Sequence, residues 1–418
     1  MTDNLSATYL IETPLGLEAA AAVMAGEQST GTFVRTIHET DALRARHAAT
    51  VDRIEPLPSV PNPSLSGSRG PTDGSARYAR GRVTVSWPLE NVGPSLPNLL
   101  ATVMGNLFEL RELSGIRLVA LDLPRPFADA YLGPAFGVDG TRDLTGVMTG
   151  PIIGTIIKPS VGLTPTETAG LVAELVEAGL DFIKDDELMA NPPHSPLRER
   201  VTRVMSVIRE HAERTGKRVM YAFNITDDLD RMLEHHDVVM AAGGTCVMVS
   251  LHSVGLTGLA YLRRHSQLPI HGHRNGWGVF TRHPLLGVEF TVMQQLWRLA
   301  GADHLHVNGL RNKFWEPDAS VISSAQACLA PLFADRPTIA MPVFSSAQRA
   351  QQAPDTLARF GRDDLMYLCG GGIMAHPMGV AAGVASIREA WEAARSGIDL
   401  ATYATDHPAL RVALETSG

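Results

Sequence analysis

From Pro151 onward the chain keeps one rhythm. Short β-rich runs alternate with helical segments about thirty residues apart. The runs fall at residues 152–157, 180–184, 218–223, 246–250, 268–272, 304–308, 338–343 and 365–369. The first helix is well marked: Thr164 stands as N-cap, Pro165 takes the first helical position, and Leu171, Val172, Leu175 and Val176 follow at helical spacing. Eight βα units predict a closed (β/α)8 TIM barrel and not an open doubly wound sheet.

The residues before the barrel read as a separate α+β unit. Residues 6–11 form a strand pattern, 17–25 a helical run, 32–35 and 82–87 further strands, 96–113 a second helix and 117–121 a last strand. Residues 59–76, rich in Pro, Gly and Ser, are expected to be loop. The order β-α-β-β-α-β predicts a ferredoxin-like fold. The expected division is therefore residues 1–125 for the N-terminal domain and 126–418 for the barrel.

Composition excludes several classes of function. A net charge of −8 and a pI near 6.0 do not favour a nucleic-acid partner, which would call for a basic face. No apolar run reaches the roughly 18 residues that span a bilayer, and the polar start Met1-Thr2-Asp3-Asn4 is unlike a signal peptide. Cys246, Cys328 and Cys369 form neither a disulfide framework nor a CxxC metal motif. These features lead us to expect a cytoplasmic protein with reduced thiols.

Chemistry in such barrels sits at the C-terminal strand ends, and polar groups converge there. The first barrel strand ends in Lys158-Pro159, the second in Lys184-Asp185-Asp186-Glu187 and the third in Asn224. The fifth ends in His271-Gly272-His273-Arg274. The sixth carries His304-Leu305-His306 and runs on to Lys313, the seventh ends in Ser345-Ser346, and the eighth in Gly370-Gly371-Gly372. Alternation puts Lys184 and Asp186 on one face of their strand and Asp185 on the other, with Glu187 at the edge. Two carboxylates so close suit a hard cation such as Mg²⁺. Lys184 fits that set as a carbamate formed with CO₂. The alternative is a salt-bridge network on the rim.

The three glycines let backbone N–H groups approach a phosphate, at the usual phosphate end of such barrels. A tight turn is the plainer reading. Arg274 and Ser345 are positioned to grip a second anion. The two HxH pairs place imidazoles on common strand faces, where core packing competes with ligation. They raise a binuclear zinc hydrolase as an alternative. That class carries HxH on its first strand, where this chain has Lys158 and no histidine.

Two segments carry a resemblance. Gly154-Thr155-Ile156-Ile157-Lys158-Pro159-Ser160-Val161-Gly162-Leu163-Thr164 and Asp181-Phe182-Ile183-Lys184-Asp185-Asp186-Glu187 resemble the RuBisCO large-chain superfamily. The likeness extends through Glu27-Gln28-Ser29-Thr30-Gly31-Thr32-Phe33, Gly105-Asn106, the two HxH pairs, Lys313, and Gly370-Gly371-Gly372 to His376-Pro377. It implies that Lys184, as carbamate, Asp186 and Glu187 are the Mg²⁺ ligands. It implies that Lys158 and Lys313 are catalytic lysines, with His273 beside them. Arg274, His306 and Ser345 match one phosphate-side set of contacts, and Thr32, Gly370 and Gly371 the other. Glu27, Thr32 and Asn106 belong to the domain that, in the family, completes a neighbouring subunit's site. A homodimer or higher oligomer is therefore expected.

Departures from the family pattern bear on function. Ser160 stands where RuBisCO has a second lysine, Trp277 replaces a histidine and Ala347 a glycine. These changes imply a smaller or singly phosphorylated substrate and a form IV, RuBisCO-like protein that does not fix carbon. Within that branch, the stretch Asn308-Gly309-Leu310-Arg311-Asn312-Lys313-Phe314-Trp315 resembles the group acting on 3-oxo-isoapionate or its 4-phosphate. The expected activity is a Mg²⁺-dependent decarboxylation in sugar-acid breakdown. The alternatives are the methionine-salvage enolase or the 5-methylthioribulose-1-phosphate isomerase, or a protein that binds a sugar phosphate without catalysis. Asn106, in place of the enolase branch's lysine base, speaks against the first of these.

Overall fold

The computed structural model describes residues 4–31, 36–71 and 77–416. They form two compact units, Met1–Tyr131 with Gly276–Leu296, and Leu132–Asn275 with Trp297–Gly418.

The first unit is built on a five-stranded sheet. Its order is Leu286–Val288, Gly115–Asp122, Asn4–Thr13, Tyr78–Pro88, Thr50–Val60, with every pairing antiparallel except the first. The last four strands, with helices Leu17–Glu27 and Leu96–Val103, give the order of a ferredoxin-like unit. Strict alternation along Asn4–Thr13 buries Leu5, Ala7, Tyr9 and Ile11.

The strand expected at 32–35 falls outside the described residues. Two other expectations are corrected. Thr50–Val60 forms a strand of the sheet, and its end overlaps the expected 59–76 loop. That strand holds Pro56 and Pro58, is largely exposed and lies on the sheet edge, where a missing N–H costs no ladder bond. The helix expected over 96–113 stops at Val103, and a 3₁₀ turn follows at Gly105–Glu109.

The second unit is the barrel. Its eight parallel strands are Ile152–Ile156, Phe182–Lys184, Met220–Asn224, Cys246–Ser250, Ile270–His273, His304–His306, Met341–Phe344 and Met366–Leu368, and the sheet closes on itself. All eight lie within or against the runs read from the sequence. The interior is packed with Ile152, Phe182, Met220, Ala222, Cys246, Met248, Met341, Val343, Met366 and Leu368, so the barrel is a core and not a pore. Thr164 caps the helix Pro165–Glu177 in a reciprocal capping box with Glu167, an arrangement worth about 1 kcal/mol. Cys246, Cys328 and Cys369 are buried and form no disulfide among the described residues. No helix among the described residues is long and apolar enough to cross a membrane.

Candidate active site

The second barrel strand delivers the central cluster. Lys184, its last residue, pairs in register with Ile156 and Ala222 and is 1% exposed. Its ammonium donates to the Asp185 carbonyl at 2.8 Å and lies 3.6 Å from Glu187. Burial pushes the Lys184 pKa down, and Glu187, Asp186 and Asp185 draw it only part of the way back. Asp186 is buried and accepts from Lys158 Nζ at 2.7 Å. Lys158 also donates to Ser160 at 2.7 Å, while its side chain stays accessible. Burial alone would raise the Glu187 carboxyl, but His273, Lys184 and Lys158 overcome it and hold the group at about 2.

Asp185 faces the other way, as strand alternation requires. It accepts from Tyr221 Oη at 2.6 Å, from the Asn224 backbone N–H at 2.9 Å and from Arg200 at 3.1 Å. Arg200 is wholly buried and donates further to the carbonyls of Met189, Ala190 and Ser195. It thus ties the helix Leu197–Thr215 to the loop that carries the carboxylates. Sequence reasoning missed this positioning residue. Its signal was an arginine on the apolar stripe Leu197, Arg200, Val201, Val204.

The histidines form one chain. Thr141 donates to the Gly137 carbonyl, so its remaining lone pairs accept from His304 Nε2 at 2.8 Å. His304 Nδ1 is then the acceptor from His271 Nδ1 at 3.2 Å, and His271 Nε2 accepts from His306 Nε2 at 2.7 Å. His306 Nδ1 accepts from Ser345 Oγ at 3.0 Å. One hydroxyl therefore fixes three neutral tautomers. Burial lowers all three pKa values, that of His304 to about 3. Engaged with one another in this way, these imidazoles do not form the exposed ligand set of a zinc hydrolase. His273 is neutral as well, lowered to about 4 by burial; its Nδ1 donates to Asn275 Oδ1 at 3.0 Å and its Nε2 lies 3.6 Å from Glu187.

The other expected residues are placed as follows. Arg274 is buried and its Nη2 is held by Glu316 at 2.8 Å, a carboxylate that also accepts from Asn308 and Ser320. Lys313 is exposed, with its ammonium over the Phe314 ring. Gly370 caps the short helical turn Gly371–Met374, and a Cβ on Gly371 would meet open space. Ala347 keeps a left-handed backbone (φ 67°). In the first unit, Asn106 donates to Glu27 at 3.1 Å. Thr32 lies outside the described residues. Trp277 is buried against Phe280 and Phe290 of its own unit, so its bulk carries no weight for substrate size.

The chemistry of this cluster suits a magnesium ion. Asp186 and Glu187 offer hard oxygen donors. A Lys184 amine that burial drives toward neutrality is the form that reacts with CO₂. Carbamylation would turn one cation into an anion beside two carboxylates, and that excess of negative charge calls for a divalent cation. The residues fit.

A barrel with this rim and an α+β unit before it defines the class. The N-terminal-domain model of the ribulose bisphosphate carboxylase large chain matches residues 2–127, and the catalytic-domain model matches 137–417. The chain belongs to the RuBisCO large-chain family. It is 55% identical, over 99% of both chains, to a Xanthobacter autotrophicus protein named 3-oxo-isoapionate-4-phosphate transcarboxylase/hydrolase. It is 48% identical, over 98% of both, to the 3-oxo-isoapionate-4-phosphate decarboxylase of Rhizobium etli. A solved RuBisCO-like protein from Burkholderia fungorum superposes with a TM-score of 0.92 at 48% identity, covering 99% of this chain and all of that one.

Proposed function

We propose that the protein is a magnesium-dependent decarboxylase of 3-oxo-isoapionate 4-phosphate. The observation that carries this reading is the convergence of Lys184, Asp186, Glu187 and Lys158 on one barrel rim, in a chain 48% identical to a decarboxylase of that substrate. Lys184 as its carbamate, Asp186 and Glu187 would hold the ion. When bound, Mg²⁺ would supply Lewis-acid stabilisation of charge developing on the keto oxygen, worth several kcal/mol.

This chain's residues do the rest. The bond to the carboxyl carbon breaks, CO₂ leaves, and its electron pair stays on the substrate as an enediolate. Lys158 gives a proton to the carbon, a role supported by its accessible ammonium beside Asp186. Lys313 is the second candidate donor. Gly370, Gly371, Arg274, His306 and Ser345 would orient the phosphorylated substrate, and Thr32 and Asn106 would reach it from a second copy of the chain. His273 keeps a neutral Nε2 toward Glu187. The proposed setting is cytoplasmic and the proposed assembly a homodimer or larger.

The test uses substrate labelled with ¹³C in its carboxyl group, together with Mg²⁺ and bicarbonate. Labelled CO₂ and a tetrulose phosphate support the proposal, and turnover should stop with a chelator and return with Mg²⁺. Turnover with the label retained in an acid product assigns carboxyl transfer, a second reading favoured by the 55% identity to the transcarboxylase/hydrolase. No turnover, with enolisation of 2,3-diketo-5-methylthiopentyl 1-phosphate instead, assigns the methionine-salvage reaction.

A further inference from the structure

We infer that the barrel unit carries a second, chemically different metal site made by His236, Asp237 and His265, which takes a borderline divalent cation such as Zn²⁺. The first two residues lie on the helix Leu229–Ala241, and His265 ends the next helix, Leu251–His265. Their donor atoms all fall within 4.8 Å of one another. Asp237 Oδ1 is 3.0 Å from His236 Nδ1 and 2.6 Å from His265 Nε2. Neighbouring residues on a helix point roughly 100° apart. The convergence of His236 and Asp237 on a third residue from another helix is therefore not a by-product of helix geometry.

The donors suit this class of ion. Two imidazoles and a carboxylate select Zn²⁺, Co²⁺, Ni²⁺ or Cu²⁺ over Mg²⁺, which prefers an all-oxygen set. Three protein ligands leave a fourth position for water or an external anion. Small outward shifts would bring the donors to the spacing of a tetrahedral site. His236 is 1% exposed, so a metal bond at its Nδ1 would form largely shielded from water. Both imidazoles lie within hydrogen-bond distance of the Asp237 carboxylate. Asp237 is 62% exposed, and exposed ion pairs contribute little, so metal bonds displace these contacts at small cost. The site opens on a groove of about 530 Å³ lined by His236, Asp237, Arg264, His265 and Gln267 among others. Arg264, the one cation of that lining, stands over the Tyr261 ring, 5.6 Å from its centroid. His236 Nε2 is buried without a hydrogen-bond partner among the described residues, with or without an ion at Nδ1, so it does not weigh against the metal.

An ion held here would cross-link two successive barrel helices. The test is titration of the full-length protein with ZnCl₂ by calorimetry and with Cu²⁺ by electron paramagnetic resonance, against His265→Ala and Asp237→Ala. Expected are one Zn²⁺ equivalent per chain that both variants lose or bind at least tenfold more weakly, and a Cu²⁺ spectrum split by two imidazole nitrogens. Both variants should keep the parent's Mg²⁺-dependent turnover, and only the parent should gain Tm with Zn²⁺. Equal zinc stoichiometry and affinity in parent and variants, or a Cu²⁺ signal with oxygen ligands alone, overturns the assignment. Because neither residue belongs to the proposed active site, the result is independent of the reaction the enzyme performs.

Discussion

Lys184 carries a charge that its surroundings do not fully support. Its ammonium is depressed because desolvation outweighs the pull of three nearby carboxylates, so the charged form costs the folded state free energy. Lys184→Met is therefore expected to leave stability unchanged or raise it by about 1–2 kcal/mol, while Mg²⁺-dependent turnover is lost. A melting curve and a CO₂ assay check both halves, and a large fall in Tm would show the lysine to be structural. Lys158→Met should lower kcat by about 10²–10⁴-fold, and more than Lys313→Met. If the order is reversed, the proton donor is Lys313. Thr141 acts at a distance. Its hydroxyl sets the tautomers through His304 and His271 to His306, and so commits the Ser345 hydrogen to His306. Turning that hydrogen toward a phosphate oxygen requires the imidazoles to exchange tautomers. Thr141→Val should cost about 1–3 kcal/mol through the stranded His304 N–H, and should give His306 a mixed tautomer population in ¹⁵N spectra of histidine-labelled protein. Thr141→Ser should restore both, whereas a single His306 tautomer in the valine variant would show that Thr141 does not set the chain.

The element that most depends on one side chain is the loop after the second barrel strand. Arg200 holds Asp185 and three carbonyls from the helix Leu197–Thr215, with no exposure to water. Arg200→Met breaks a buried ion pair and strands Asp185, so a loss of about 3–5 kcal/mol is expected. Metal affinity should fall with it, because Asp186 and Glu187 ride on the same loop. Chemical denaturation and Mg²⁺ titration check this, and a variant that binds Mg²⁺ normally would remove Arg200 from the site. Such elements were unequally legible in the sequence. The barrel strands stood out because each is a short apolar run between helices, with its polar residues gathered at one end. The edge strand Thr50–Val60 did not, because two prolines and an exposed face erase the alternation that a buried strand shows. The carboxylate cluster was legible because its members are adjacent in sequence. Arg200, Glu316 and Thr141 were not, since each meets its partner only when the barrel closes. The strand Leu286–Val288 lies in sequence between two barrel strands yet pairs with Gly115–Asp122 of the first unit, a long-range pairing that no local pattern records.

At the scale of the whole molecule, the buried histidines set how the fold meets acid. In the folded state His273 titrates at about 4 and His304 at about 3, and His271 and His306 lie well below the ordinary value. Unfolded, each returns to roughly 6.5. Between those values the unfolded chain binds protons that the folded chain does not, so stability rises with pH across the window and falls on acidification. Each histidine contributes a slope of about 1.4 kcal/mol per pH unit while its window is open. Glu187 acts in the same direction lower down. Its folded value of about 2 lies below the unfolded one, so the stability it gives above pH 4.5 is lost as the pH drops toward 2. The Tm should therefore fall steeply between pH 6.5 and 4, with calorimetry showing proton uptake on unfolding. A Tm that stays level from pH 7 to 5 would mean that the imidazoles protonate inside the folded barrel. The directed chain from Ser345 to Thr141 would then be broken at ordinary pH, since an imidazolium has no lone pair with which to accept the next bond.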